Sequence, residues 1–147
     1  MPGGDSAIRK PYRMALGYLY TLLGPETPLE SFPILNRIAS EEVEVIKKQL
    51  ERGINIPLTS SAGRLFDAVS ALAGVRGEVD YEAQAAIELE MLAPDDVTQF
   101  DAYPFTIKPE NGMLIIRLGE LIAAVVRDVA NGVPAPVISG RFHQTVS

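Results

Sequence analysis

The 147-residue sequence has no cysteine and a single histidine, so neither a disulfide framework nor a Cys/His metal cluster can be built from it. A metal would need carboxylates or groups from another segment. Basic residues are also scarce. Thirteen Lys and Arg stand against nineteen Asp and Glu, a net charge of −6, which is the wrong sign for gripping a phosphate backbone. Nucleic acid is therefore excluded as an expected direct partner. The longest oily run, LIAAVV at 121–126, is broken by Arg127 and Asp128, far short of the roughly 20 residues a membrane span needs. No signal peptide is recognisable at the N-terminus, and the expectation is a soluble protein with a cytoplasmic address and no membrane partner. Internal repeats, low-complexity tracts and flexible linkers are lacking too, so residues 1–147 are expected to form a single helical unit.

What is present is apolar. Hydrophobic residues make up 47% of the chain and the mean hydropathy is +0.13, oily for a domain of about this size. Some of its surface is expected to want a partner.

Helix punctuation is dense. Asp5 is placed to cap a helical turn, Pro11 suits the first turn of a main helix, and Met14 to Leu23 continues it until Gly24-Pro25. A brief helix is expected at Ile34 to Ile38. Ser40 is read as the cap of SEEVEVIKKQLERG, with Glu41 and Glu42 favouring its start, Lys47, Lys48 and Arg52 its end, and Gly53 its stop. Asp80 is read as the cap of a helix from Tyr81 to Ala93, ended by Pro94. YPFTIK and MLIIRL, joined by KPENGM, form a hairpin whose Asn111-Gly112 supplies the positive-φ turn. A helix from Gly119 to Ala130 follows, closed by Asn131-Gly132. No stop signal closes the last segment, VISGRFHQTVS. The fold class is mainly α with one β-hairpin.

LTSSAGRLFDAVSALAG, residues 58–74, holds the most informative helix. At about 100° per residue, Ala62, Leu65, Phe66, Val69, Leu72 and Ala73 fall within roughly 120° of arc. Ser60, Gly63, Arg64, Asp67 and Ala71 gather opposite. Two readings stay open. In one, Ser60 or Ser61 caps the helix, Gly63 serves helix packing, and Arg64 and Asp67 are an i,i+3 surface pair. In the other, the polar side and the first-turn N–H groups face an anionic ligand.

A family resemblance weighs on that choice. TSSAGRLFDAVSALAG followed by YEAQAAIELEMLA is similar to the HypF carbamoyltransferases, hydrogenase maturation factors, in their large domain related to the tRNA threonylcarbamoyl-adenosine enzymes. PGGDSAIRKPYRMAL, FPILNRIA and ISGRFHQTV resemble further blocks of that domain in the same order. The resemblance implies a partial lobe of an actin/sugar-kinase-like ATPase domain. It implies that carbamoyl phosphate and ATP yield a carbamoyl adenylate, whose carbamoyl group passes to a C-terminal cysteine of a HypE-like partner and becomes a cyanide ligand of nickel-iron hydrogenase. Related antibiotic O-carbamoyltransferases, which pass the group to a sugar hydroxyl, and an independent helical interaction module without catalysis are the alternatives.

In the relatives a metal-binding histidine pair lies upstream of the PGGD block and a glycine-rich nucleotide loop lies downstream of the RFH block. This chain is therefore expected to be a fragment that is inactive alone. ATP and a divalent metal belong to the full-length parent, and neither is expected on the fragment. The remainder of the parent is the expected partner, with self-association through cut faces in its absence.

By the same resemblance Asp67 matches an aspartate that holds the nucleoside ribose, while a glycine-rich turn at the next helix falls at Tyr81-Glu82-Ala83-Gln84. Ala83 stands where the pattern has glycine. Glu88 is a further candidate for a ribose or base contact, with a solvated helix residue as the alternative. The nucleotide-binding candidates are thus Ser60, Ser61, Gly63, Arg64, Asp67, Glu82, Ala83, Gln84 and Glu88. No catalytic or metal-ligating residue is assigned. His143 is expected to pack or to satisfy a hydrogen bond. Asp95, Asp96 and Asp101 read as a solvated loop, the Gly3-Gly4 turn matches no phosphate-binding fingerprint, and Tyr12, Tyr18 and Tyr20 read as core or interface.

Overall fold

Most helix boundaries follow the punctuation in the sequence. The computed structural model describes residues 1–147, and its elements run α1 (Ser6–Arg9), α2 (Pro11–Leu22), a 3-10 turn at Leu35–Arg37, α3 (Ser40–Arg52), α4 (Ala62–Leu72), α5 (Gln84–Leu92), a 3-10 turn at Val97–Gln99, β1 (Thr106–Glu110), β2 (Met113–Arg117), α6 (Gly119–Ala130) and α7 (Ala135–Val146). The class is mainly helical with one antiparallel hairpin. Pro11 opens α2 at the position where a missing N–H costs nothing. Gly53 (φ 65°) and Gly74 (φ 79°) stop α3 and α4 in the left-handed conformation that glycine adopts without a Cβ clash. Asn111 (φ 50°) and Gly112 (φ 78°) form the hairpin turn. No helix is long and apolar enough to cross a membrane.

α4 lies at the centre, packed against α2, α5 and α6. Leu16, Leu19, Phe32, Leu35, Ile46, Val69, Leu72, Leu89, Leu121, Ile122, Ile138 and Phe142 are fully buried around it. Phe66 meets Phe142 edge-on with ring centroids 4.8 Å apart, which ties α4 to α7. Apolar groups also remain uncovered. The cross-strand pairs Ile107↔Ile116 and Pro109↔Leu114 share one face of the hairpin, where Ile107, Leu114 and Ile116 are exposed, and Ile87 and Met91 stand out from α5.

Several caps differ from expectation. Asp5 has helical backbone angles and makes no capping bond. Ser40 is the first residue of α3 rather than its cap, which is Ala39, and its hydroxyl turns to Glu41 instead. Ser61 does occupy the cap position of α4, but neither its side chain nor that of Ser60 caps the helix; the Ser61 N–H donates to Thr59 Oγ1. α5 starts three residues beyond the expected Tyr81, because Ala83 takes a left-handed conformation (φ 65°, ψ 2°) that interrupts the helix. Asp80 is not its cap: its backbone N–H donates to Gln84 Oε1 at 2.8 Å. The terminal segment is the helix α7.

The largest correction concerns the polar side of α4, which is not a surface. Ala68, Ser70 and Ala71 are fully buried and Asp67 is 3% exposed. Ala68 clusters with Met14 of α2 and Ala7 of α1, with Tyr18 packed alongside. Small residues on this side let α2 come close, so α4 is enclosed on both faces.

Candidate nucleotide-facing site

The predicted residues fall into two groups. The first lies along the N-terminal half of α4. Ser60 and Ser61 are exposed in the approach to the helix, and Gly63 and Arg64 are half-buried in its first turn. A Cβ on Gly63 would meet nothing closer than Ser61 Oγ at 3.5 Å. Helix packing therefore does not require glycine here.

Arg64 Nη1 sits 2.9 Å from Asp67 Oδ2, as the i,i+3 spacing predicts, with side chains 12% and 4% exposed. This ion pair is interior rather than superficial. Neither atom has a hydrogen-bond partner, so the charges are close but out of hydrogen-bonding alignment. Burial pushes the Asp67 carboxyl above the usual carboxylate range, and the Arg64 charge only partly opposes it. Asp67 is a carboxylate held at a net cost.

The second group surrounds the start of α5. Glu82 and Ala83 are exposed and Gln84 is buried. Arg76, from the loop after α4, grips Glu88 with a two-pronged fork, Nε to Oε2 at 2.7 Å and Nη2 to Oε1 at 2.6 Å. Gln84 Nε2 donates to the same Glu88 Oε1 at 2.9 Å, and Gln84 Oε1 accepts the Asp80 N–H. The Arg76 hydrogen bonds hold the Glu88 carboxyl below its ordinary range. Both Glu88 carboxylate oxygens are thus engaged by Arg76 and Gln84, and the residue is not free to meet a nucleotide. Glu82 lines a cleft with Ile8, Arg9, Val79, Asp80 and Tyr81, of about 300 Å³. No hydrogen bond or ion pair joins the two groups.

Two polar clusters escaped the sequence reading. Glu42 Oε1 accepts from Tyr12 Oη at 3.0 Å and pairs with the buried Arg13, and Asp128 Oδ2 accepts from Tyr103 Oη and Arg141 Nη1, each at 2.7 Å. Both join residues too far apart in sequence for helical spacing to suggest. Burial, with Asp128 alongside, pushes the Tyr103 hydroxyl strongly up. His143 packs edge-on against Phe66 and Phe142. Its Nδ1 lies 2.8 Å from the Ser139 carbonyl oxygen, which can only accept, so the proton sits on Nδ1. Its Nε2 is buried without a partner. Ser139 Oγ in turn donates to the Leu89 carbonyl and ties α7 to α5. No three His, Asp or Glu side chains converge to hold a metal ion.

Fold and site together define a helical segment that offers a buried carboxylate and a left-handed turn. A family model described as "Carbamoyltransferase, Kae1-like Domain, second subdomain" matches residues 1–147, and the chain belongs to that family. It is 30% identical to the carbamoyltransferase HypF of Synechocystis sp. over 156 residues, which cover 98% of this chain and 20% of that protein. It is 41% identical to a probable carbamoyltransferase HypF of Methanocaldococcus jannaschii over 91 residues, 62% of this chain and 12% of the relative. Among solved structures it is similar to full-length HypF in its phosphate- and nucleotide-bound form, with a TM-score of 0.82 and 38% identity over 99% of this chain and 22% of that one. The chain therefore spans about a quarter or less of the length of these relatives.

Proposed function

We propose that the chain forms one wall of the nucleotide site of a HypF-type carbamoyltransferase. In the whole enzyme water first cleaves carbamoyl phosphate, so that inorganic phosphate leaves and carbamate remains, and a carbamate oxygen then attacks the α-phosphorus of ATP. Pyrophosphate leaves and carbamoyl adenylate forms. The thiolate of a HypE-like acceptor then attacks the carbamoyl carbon and AMP leaves. The remainder of the parent supplies the phosphate-binding loop. A divalent metal, if the parent uses one, would be held there too. Alone, the chain binds no cofactor and catalyses nothing.

The observation that carries this reading is Asp67. A carboxylate buried at a net cost, with one oxygen lacking a hydrogen-bond partner, is poor value for stability and good value for accepting two hydroxyl hydrogen bonds from a ribose. For the ribose to reach it, Arg64 has to swing aside, which frees its guanidinium for a phosphate. Gly63 leaves the adjoining backbone open. The likeness, over 99% of this chain, to part of a HypF solved in a phosphate- and nucleotide-bound form supports a nucleotide site in the parent.

Calorimetric titration of ATP into the parent enzyme and its Asp67→Asn variant is the test. Losing a charge-assisted hydrogen bond costs about 1.5–3 kcal/mol, so the variant should bind at least about tenfold more weakly. Equal affinities would remove Asp67 from the nucleotide site.

A further inference from the structure

Ala83 sets a physical problem that the nucleotide reading does not solve. It is one of three non-glycine residues with positive φ, at 65°, and it stands immediately before α5. The other two are asparagines, Asn55 and Asn111, which tolerate this region because their side chains can bond locally. Alanine has no such side chain. A left-handed alanine persists only where its surroundings over-determine it.

The neighbouring contacts supply that constraint. Arg76 holds both oxygens of Glu88, Glu88 Oε1 takes the Gln84 amide, and Gln84 Oε1 takes the N–H of Asp80. Asp80 and Gln84 bracket the three residues of the turn, so the chain of bonds closes across Tyr81–Ala83 and fixes both its ends. Gln84 is 6% exposed, which leaves its amide no solvent alternative. Arg76 and Glu88 are more open, with side chains 38% and 26% exposed. Their pairing works less by bulk stabilisation, which water screens, than by the planar fork that orients the carboxylate.

We propose that Arg76 is a positioning residue: through Glu88 and Gln84 it fixes the left-handed turn at Ala83 and so sets the nucleotide-facing end of α5 without a glycine. This rests on the nucleotide reading for its consequence in binding, though not for its structural content. Arg76 and Glu88 do not touch the ligand. Tyr81, Glu82 and the Ala83 backbone, which the turn presents, are the groups left exposed to do so.

The test uses Arg76→Gln, Arg76→Lys and Arg76→Gln with Ala83→Gly. In the 147-residue chain, the three-bond HN–Hα coupling and chemical shifts of residue 83 report φ directly. Arg76→Gln should shift residue 83 away from positive φ, Arg76→Lys should shift it partly, and the double variant should return it, because glycine takes positive φ without penalty. In the parent enzyme, Arg76→Gln should raise the KM for ATP about tenfold, the population ratio expected from a left-handed alanine's usual penalty, with kcat changed less than about threefold. Ala83→Gly should restore that KM even if the melting temperature stays low. A purely structural role for Arg76 would lower the melting temperature and leave nothing for glycine to rescue. If Arg76→Gln leaves φ of residue 83 unchanged, the inference fails whatever ATP does. If φ moves as expected but KM does not, the turn does not face the nucleotide, and the positioning role fails together with the site reading at α5.

Discussion

Replacing Asp67 by asparagine should leave the 147-residue chain at least as stable as before, against the ordinary expectation for a buried ion pair. Two effects compete. Breaking a favourable interior pair costs about 3–5 kcal/mol, because the surviving charge is left uncompensated. Removing a carboxylate that burial already disfavours is worth about 1–3 kcal/mol in recovered desolvation. The structure decides between them. Arg64 Nη1 and Asp67 Oδ2 are 2.9 Å apart yet share no hydrogen bond, and the Asp67 carboxyl is raised by burial despite the arginine. Folding therefore disfavours the ionised carboxylate relative to the unfolded chain, and Asp67→Asn removes the charge that burial penalises. The gain should be about 1 kcal/mol, which raises Tm by about 2–4 °C at this chain length.

The pH dependence has a definite sign. A carboxyl whose folded pKa lies above its unfolded value contributes stability that is fully present below the unfolded value and is lost as pH rises through the folded one. The variant's advantage should thus be largest near neutrality and close on acidification through the carboxylate range. Thermal melts of both proteins across that range measure it. A loss of 3 kcal/mol or more in the variant at pH 7 would show that the pair is a net stabiliser and that the reasoning from burial is wrong.

Two glycines should respond in opposite directions. Gly63→Ala meets only an ordinary contact, Ser61 Oγ at 3.5 Å, and should gain up to about 1 kcal/mol from helix propensity, while weakening nucleotide binding by the parent if the ligand passes over that backbone. Gly140→Ala drives a methyl to 2.8 Å from the Phe100 ring; overpacking of about 1–3 kcal/mol outweighs the propensity gain, and its Tm should fall. A raised Tm for Gly140→Ala, or a lowered one for Gly63→Ala, would contradict the packing described.

Elements set by local chemistry were legible before any coordinates. Asn111-Gly112 announces its turn, and Gly53, Gly74 and the Asn131-Gly132 pair announce helix ends, because backbone conformation there depends on one or two residues. The Arg64–Asp67 pair was legible as a spacing, but its burial was not: the wheel separates apolar from polar, while Ala68 and Ala71 are small for the sake of α2, a neighbour forty residues or more away in sequence. The start of α5 was misplaced for a similar reason. An alanine gives no sign of positive φ, and the contacts that impose it run from Arg76 to Glu88, twelve positions apart, where no helical periodicity connects them. The Tyr103–Asp128–Arg141 cluster is likewise tertiary. The family blocks reached the right fold, since they record the result of such contacts without revealing them.

We propose that these residues build part of a carboxyl-lined nucleotide site in a carbamoyltransferase. Carbamoyl-phosphate-dependent release of pyrophosphate from ATP tests it most directly, measured for the parent enzyme carrying this segment and for the purified 147-residue chain. Release by the parent and none by the chain alone is the expected result. Carbamoyl-phosphate-dependent release by the isolated chain, or a folded parent that binds ATP and releases no pyrophosphate with carbamoyl phosphate present, would contradict it.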